Sequence, residues 1–158
     1  MPDTGLTSQV IEEICAWFDA NGRDLPWRRP GTSAWGVLVS EVMSQQTPMS
    51  RVIGPWHEWM NRWPTPDDLA DELSREAVRA SGRLGYPRRT WRLKCRDEQI
   101  ATEHDGVVPN SYDELVALPG IGDYTASAVV SFAFGGRATV LDTNVRRLLA
   151  RAASGRSR

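Results

Sequence analysis

Wherever apolar positions repeat along this chain, they do so at the three- and four-residue spacing of a helix. In residues 7–21, Val10, Ile14, Trp17 and Phe18 share one face. Thr7 or Ser8 can cap that helix and Gly22 can stop it. Residues 34–47 predict a second helix, apolar nearly all round through Trp35, Leu38, Val39, Val42 and Met43. A third helix is predicted over 49–63, with Pro55 as a kink. Its tryptophans, Trp56, Trp59 and Trp63, fall at helical spacing and read as core. Thr65 followed by Pro66, Asp67 and Asp68 opens another helix, and Ser74 can cap a short one that ends by Gly82 to Gly85. A basic helix is predicted over 88–104. Ser111 to Glu114 then has the form of a capping box. The stretch ATVL at 138–141 is too short to found a sheet. The fold class expected is all-α.

At 158 residues the chain is long enough for a proper core. No run of about 18 apolar residues occurs, so no membrane span is expected. The segment MPDTGLTSQV lacks the basic and apolar regions of a secretion signal, which makes the cytoplasm the expected compartment. Cys15 and Cys95 are far apart and read as free thiols. His57 and His104 have no metal-ligand spacing with them and read as helix-face residues.

The formal net charge of -1 is uninformative, but its distribution is not. Arg79, Arg83, Arg88, Arg89, Arg92, Lys94 and Arg96 follow one another with no acid among them. Arg146, Arg147, Arg151, Arg156 and Arg158 crowd the tail. One such run is ordinarily a solvated helix face. Two of them flank Leu118-Pro119-Gly120-Ile121-Gly122, a glycine turn that feeds directly into a helix. Gly120 and Gly122 permit positive φ and close backbone approach. The unpaired N–H groups of the helix that follows favour an anion such as phosphate. Together these features point to a nucleic-acid footprint.

Glu41 is the other chemical anomaly. A carboxyl inside an apolar helix is costly unless it is exposed, paired or held in a site. Val37 and Leu38 lie one turn back and Gln45 one turn on, which favours a held carboxyl with a raised pKa, suited to general-acid work.

The glycine turn, with Thr125, Ala126 and the apolar run Val129, Val130, Phe132 and Phe134, resembles the helix-hairpin-helix element of the base-excision DNA glycosylases. Val140-Leu141-Asp142-Thr143-Asn144-Val145 is similar to the segment where that family keeps its catalytic aspartate. Ser40-Glu41-Val42-Met43-Ser44-Gln45-Gln46-Thr47 resembles the signature of its adenine DNA glycosylase (MutY) branch, as does Leu25-Pro26-Trp27-Arg28 near the base pocket.

The resemblance implies an endonuclease III-like fold with an incomplete second domain. It divides the chain into an N-terminal helix of that second domain at 1–27, a helical barrel at 28–136 with its hairpin at 112–134, and the start of the second domain at 137–158. It implies Glu41 as general acid, Asp142 as the carboxylate facing the sugar cation, Asn144 as its positioner and Tyr124 lining the sugar. Tyr124 stands where bifunctional relatives carry a nucleophilic lysine, and Lys94 is the only lysine, so a monofunctional enzyme is implied.

DNA contacts are implied for Arg28, Gln45, Gln46, Thr47, Tyr86, Arg88, Arg89, Gly120, Gly122 and Thr125. Gln46 would enter the base stack, and Tyr86 would sit against the damaged pair unless it is a packed surface tyrosine. Backbone carbonyls of Val116, Leu118 and Ile121 would hold a monovalent or divalent cation. The family's [4Fe-4S] cluster needs four cysteines that this chain does not have. The implied partner is double-stranded DNA with a mispaired adenine, bound by a monomer. A thymine or uracil mismatch glycosylase and a DNA-binding remnant without catalysis are the other readings.

Overall fold

A computed structural model describes residues 7–72, 74–80 and 96–154. Among them every regular element is helical. In chain order these are α1 (Ser8–Asn21), a 3-10 turn (Pro26–Arg28), α2 (Ala34–Ser44), α3 (Met49–Arg62), α4 (Pro66–Ala70), α5 (Ser74–Ala80), α6 (96–103), α7 (Tyr112–Ala117), α8 (Asp123–Phe134) and α9 (Thr143–Ser154). Of the basic helix predicted over 88–104, only the part from residue 96 lies within the described residues.

The chain forms two units. One is Leu25–Thr139; the other joins Met1–Asp24 to Val140–Arg158. The larger unit thus begins three residues before the expected boundary at 28 and ends three after the one at 136. Leu25 and Trp27 account for the first difference, because both are buried in its core.

The larger unit is built around α2, which packs against both α3 and α8. That explains why α2 is apolar nearly all round: Trp35, Leu38, Val39, Val42 and Met43 are all buried. Ser33 caps it by accepting the Gly36 N–H at 3.1 Å. Trp56, Trp59 and Trp63 are core, as their spacing predicts, and Trp35 and Trp56 are buried with their N–H groups bonded. Trp35 Nε1 donates to the Trp63 carbonyl at 3.0 Å, and Trp56 Nε1 donates to the Gly36 carbonyl at 2.8 Å. Burial of an indole costs little when its N–H is so satisfied.

α2 ends at Ser44, three residues before the predicted limit. Gln46 takes a left-handed φ of 55°, which no helix continues through. Pro48 follows Thr47 and disfavours helical backbone there. Thr65 and Asp68 form the full capping box of α4, with Asp68 N–H on the Thr65 hydroxyl and Thr65 N–H on the Asp68 carboxylate. At α7, Ser111 accepts the Glu114 N–H at 3.3 Å, while the Glu114 carboxylate takes the Ser111 hydroxyl and not its backbone N–H.

In the smaller unit, Thr7 caps α1 and Gly22 ends it. The apolar face of α1 is exposed, with Trp17 at 64% and Ile14 at 54%.

Leu38 is wholly buried in the larger unit. Leu38→Ala is expected to cost about 2–5 kcal/mol by removing packing from a core that cannot fully collapse. Denaturant unfolding of the two proteins checks this, and a difference below about 1 kcal/mol would contradict the placement of α2 at the centre.

Candidate active site

Glu41 lies on α2 and Tyr124 in the first turn of α8, so the packing of those two helices brings them together. Arg28 comes from the turn that precedes α2. That turn is fixed by its buried neighbours and by Thr32, whose hydroxyl donates to the carbonyls of Arg29 at 2.9 Å and Pro26 at 3.2 Å. The Trp27 ring meets Trp56 edge-on at 5.7 Å.

The Glu41 carboxyl is half-buried and is hydrogen-bonded to the Tyr124 hydroxyl, with the positive charge of Arg28 nearby. Burial raises its pKa; the tyrosine bond and the arginine oppose the rise; the net result is about 7 against an ordinary 4.5. At neutral pH this carboxyl therefore holds its proton for a substantial part of the time.

The hairpin lies between α7 and α8 in the same unit. Leu118 and Ile121 are buried and anchor its two arms. The Ile121 N–H closes the turn on the Leu118 carbonyl at 3.2 Å. Gly120 has φ 69°, as the tight turn requires. Gly122 differs from expectation: its φ is -99°, so its backbone does not demand glycine. A Cβ there would meet nothing within 4 Å. The space above Gly122 is open to another backbone, and the first N–H groups of α8 have no acceptor within their own helix.

A link across the hairpin was not legible in the sequence. Tyr112 donates its hydroxyl to Asp123 at 2.9 Å, tying the first turn of α7 to the first turn of α8. The Asp123 carboxylate holds the Tyr112 proton and raises its pKa.

The other predicted site residues fall in several places. Gln45 and Gln46 are exposed just beyond α2, and the Thr47 hydroxyl donates to the Gln45 carbonyl at 3.3 Å. The Thr125 side chain is buried at 4% exposure, so it packs against the core and leaves only its backbone for a ligand. Tyr86, Arg88 and Arg89 lie outside the described residues. Asp142 and Asn144 belong to the smaller unit, where Asp142 caps α9 by accepting the Val145 N–H at 2.6 Å.

Arg96, counted in the basic run as part of a surface footprint, is buried at 2% exposure and bonded to hairpin carbonyls. Of the proposed cation carbonyls, that of Leu118 already accepts the Ile121 N–H. Among the described residues no group of three or more His, Cys, Asp or Glu side chains is arranged to hold a metal. The two cysteines of the sequence do not furnish a four-thiolate set for an iron–sulfur cluster.

Comparison with known proteins adds a family to this geometry. Residues 103–132 match the helix-hairpin-helix motif model. Over 143 residues the chain is 54% identical to an adenine DNA glycosylase of Mycolicibacterium smegmatis, covering 90% of this chain and 49% of that protein. It is 51% identical over 144 residues to the adenine DNA glycosylase of Mycobacterium tuberculosis, covering 91% and 47%. A non-covalent endonuclease III–DNA complex superposes with a TM-score of 0.74 at 27% identity, covering 90% of this chain and 67% of that one.

The chain has the motif and the fold of the helix-hairpin-helix DNA glycosylases.

Among these it aligns with the adenine DNA glycosylases and spans about half the length of those curated relatives. The glycosylase hairpin is thus Leu118–Gly122 here, and the glutamate of the adenine-branch signature is Glu41, whose pKa burial raises.

The pKa of Glu41 fixes the sign of a stability effect. Its folded value lies above its unfolded one, so between about 4.5 and 7 the folded state binds more protons and stability falls as pH rises. Above pH 7 the ionised carboxylate carries the full penalty, at most about 3 kcal/mol for this partly exposed group. Glu41→Gln is therefore expected to melt higher than wild type at pH 8 and to converge with it towards pH 5. Equal melting temperatures throughout would contradict the burial. Tyr124→Phe removes a bond that lowers the pKa, so an NMR titration of the Glu41 carboxyl should move upward in that variant.

Proposed function

We propose that this chain carries the glycosylase chemistry of an adenine DNA glycosylase, removing adenine mispaired with 8-oxoguanine or guanine by hydrolysis of the N-glycosidic bond. The observation that carries the reading is the Glu41 carboxyl, held near pKa 7 in the unit that also presents the hairpin. The target adenine must leave the base stack to be reached. Gln46, exposed and held in a left-handed backbone conformation just past α2, is proposed to fill the gap. The hairpin is proposed to hold a phosphate on the N–H groups at the start of α8.

Glu41 then gives its proton to a ring nitrogen of the leaving adenine as the bond to C1′ breaks. The electron pair of that bond leaves with the base, and cationic character develops on the sugar. An ionised carboxylate stabilises such a cation, and Asp142 is proposed for this role on the strength of its motif. Asn144 is proposed as its positioning partner. Water adds at C1′ and loses a proton, giving free adenine and an abasic site. Tyr124 holds the Glu41 carboxyl in place through its hydroxyl. It is not an amine, so no Schiff base forms at this position and the strand stays intact. A cation on the hairpin carbonyls and a monomeric state belong to the same proposal.

The test is single-turnover cleavage of a duplex with adenine opposite 8-oxoguanine, with thymine opposite guanine in a parallel arm. Adenine loss is expected to appear as strand breaks only after alkali. Glu41→Gln and Asp142→Asn should each slow it by at least about a hundredfold, the lower range for removing general-acid help. The rate should fall as pH rises past about 7, where Glu41 loses its proton. Strand breaks without alkali would exclude the monofunctional route, and thymine loss in preference to adenine would reassign the substrate.

A further inference from the structure

Arg96 lies in α6, twenty-odd residues before the hairpin, and is one of the largest fully buried side chains among the described residues. A guanidinium is expensive to bury unless its donors are used. Two of them are. Nε donates to the Pro119 carbonyl at 2.5 Å, and Nη2 donates to the Gly120 carbonyl at 2.7 Å. These carbonyls belong to the two successive peptide units at the hairpin tip. Charge-assisted bonds of this kind are roughly twice as strong as neutral ones, and the planar fork holds both acceptors at once.

No cis peptide is present among the described residues. In a trans peptide the N–H points opposite to the C=O. A guanidinium that fixes the Pro119 carbonyl therefore also fixes the Gly120 N–H, aimed away from Arg96. The Gly120 carbonyl likewise sets the Ile121 N–H, which closes on Leu118. Pro119, Gly120 and Gly122 are exposed above this buried cation. The cation also adds to the partial positive charge at the start of α8.

We propose that Arg96 is a positioning residue for DNA binding, locking the hairpin tip in the geometry that receives a phosphate without touching the phosphate itself. The proposal rests on the reading of the hairpin as the phosphate site.

The test uses the full chain and a fluorescently labelled duplex carrying adenine opposite 8-oxoguanine, with affinity read by anisotropy across a salt series. Arg96→Met keeps the apolar stem and loses the charge and both bonds. Arg96→Lys keeps a charge and a donor but loses the fork. Arg96→Met is expected to weaken binding by about tenfold or more, and Arg96→Lys to recover part of that loss. The slope of log affinity against log salt should stay unchanged, because a residue that touches no phosphate releases no counterion. A slope reduced by about one would make Arg96 a direct phosphate contact and overturn the positioning role.

Amide shifts of Gly120, Ile121 and Gly122, read without DNA, separate the two layers of the claim. Shifts that move while affinity holds would overturn the phosphate reading of the hairpin and this proposal with it. Shifts and affinity that both hold, in a folded Arg96→Met, would overturn the brace and leave the hairpin reading standing. If Arg96→Met does not fold, Arg96→Lys decides by the same readouts. The wild-type Arg96 Nε–H provides a check that needs no variant: bonded to Pro119 it should exchange slowly with solvent, and fast exchange would overturn the contact.

Discussion

The packing of α2 against α8 is the interaction on which the larger unit depends. α2 is buried on several sides at once, through Trp35, Leu38, Val39, Val42 and Met43. An all-round apolar helix belongs at the centre of a domain, and every neighbour must fit it. The same contact places Glu41 in a partly dry setting and sets Tyr124 against it. Burial that strengthens the core thus also makes ionisation of one carboxyl unfavourable. A protonatable acid at neutral pH is a by-product of where the core lies, and it is what the proposed chemistry needs.

The hairpin shows how local and long-range interactions share one turn. Locally, Ser111 starts α7, Leu118 and Ile121 bury their side chains, and Gly120 supplies the positive φ. These would make a turn in many contexts. Two longer contacts then make it a particular turn. Tyr112 reaches Asp123 across the hairpin, and Arg96 reaches the Pro119 and Gly120 carbonyls from α6. Each joins an element to the tip through a directional bond, so the orientation of the N–H groups is set by tertiary structure.

The smaller unit follows local rules almost alone. Thr7 caps α1, and Asp142 caps α9. Its apolar residues, among them Ile14, Trp17 and Leu148, remain largely exposed. Asp142 shows that one carboxylate can hold a structural place and still carry a motif. Accepting the Val145 N–H fixes one oxygen of this carboxylate at the start of α9.

Among the described residues, the sequence by itself marked the helices, the caps that open α1 and α4, and the tryptophan core, because helical spacing and capping residues act over four or five positions. It also marked Glu41, since a carboxyl within an apolar run is costly wherever the helix goes. It placed the end of α2 too far on, because the pull of Pro48 and the left-handed turn at Gln46 outweighed the helical pattern. Tertiary structure alone decided what Glu41 touches, since Tyr124 comes from a helix distant in sequence and Arg28 from a separate turn. It alone separated Arg96 from the basic run, as charge is visible in a sequence and burial is not. It also turned the Thr125 side chain into the core. Those outcomes depend on which faces of which helices meet, and that is settled only when the helices pack.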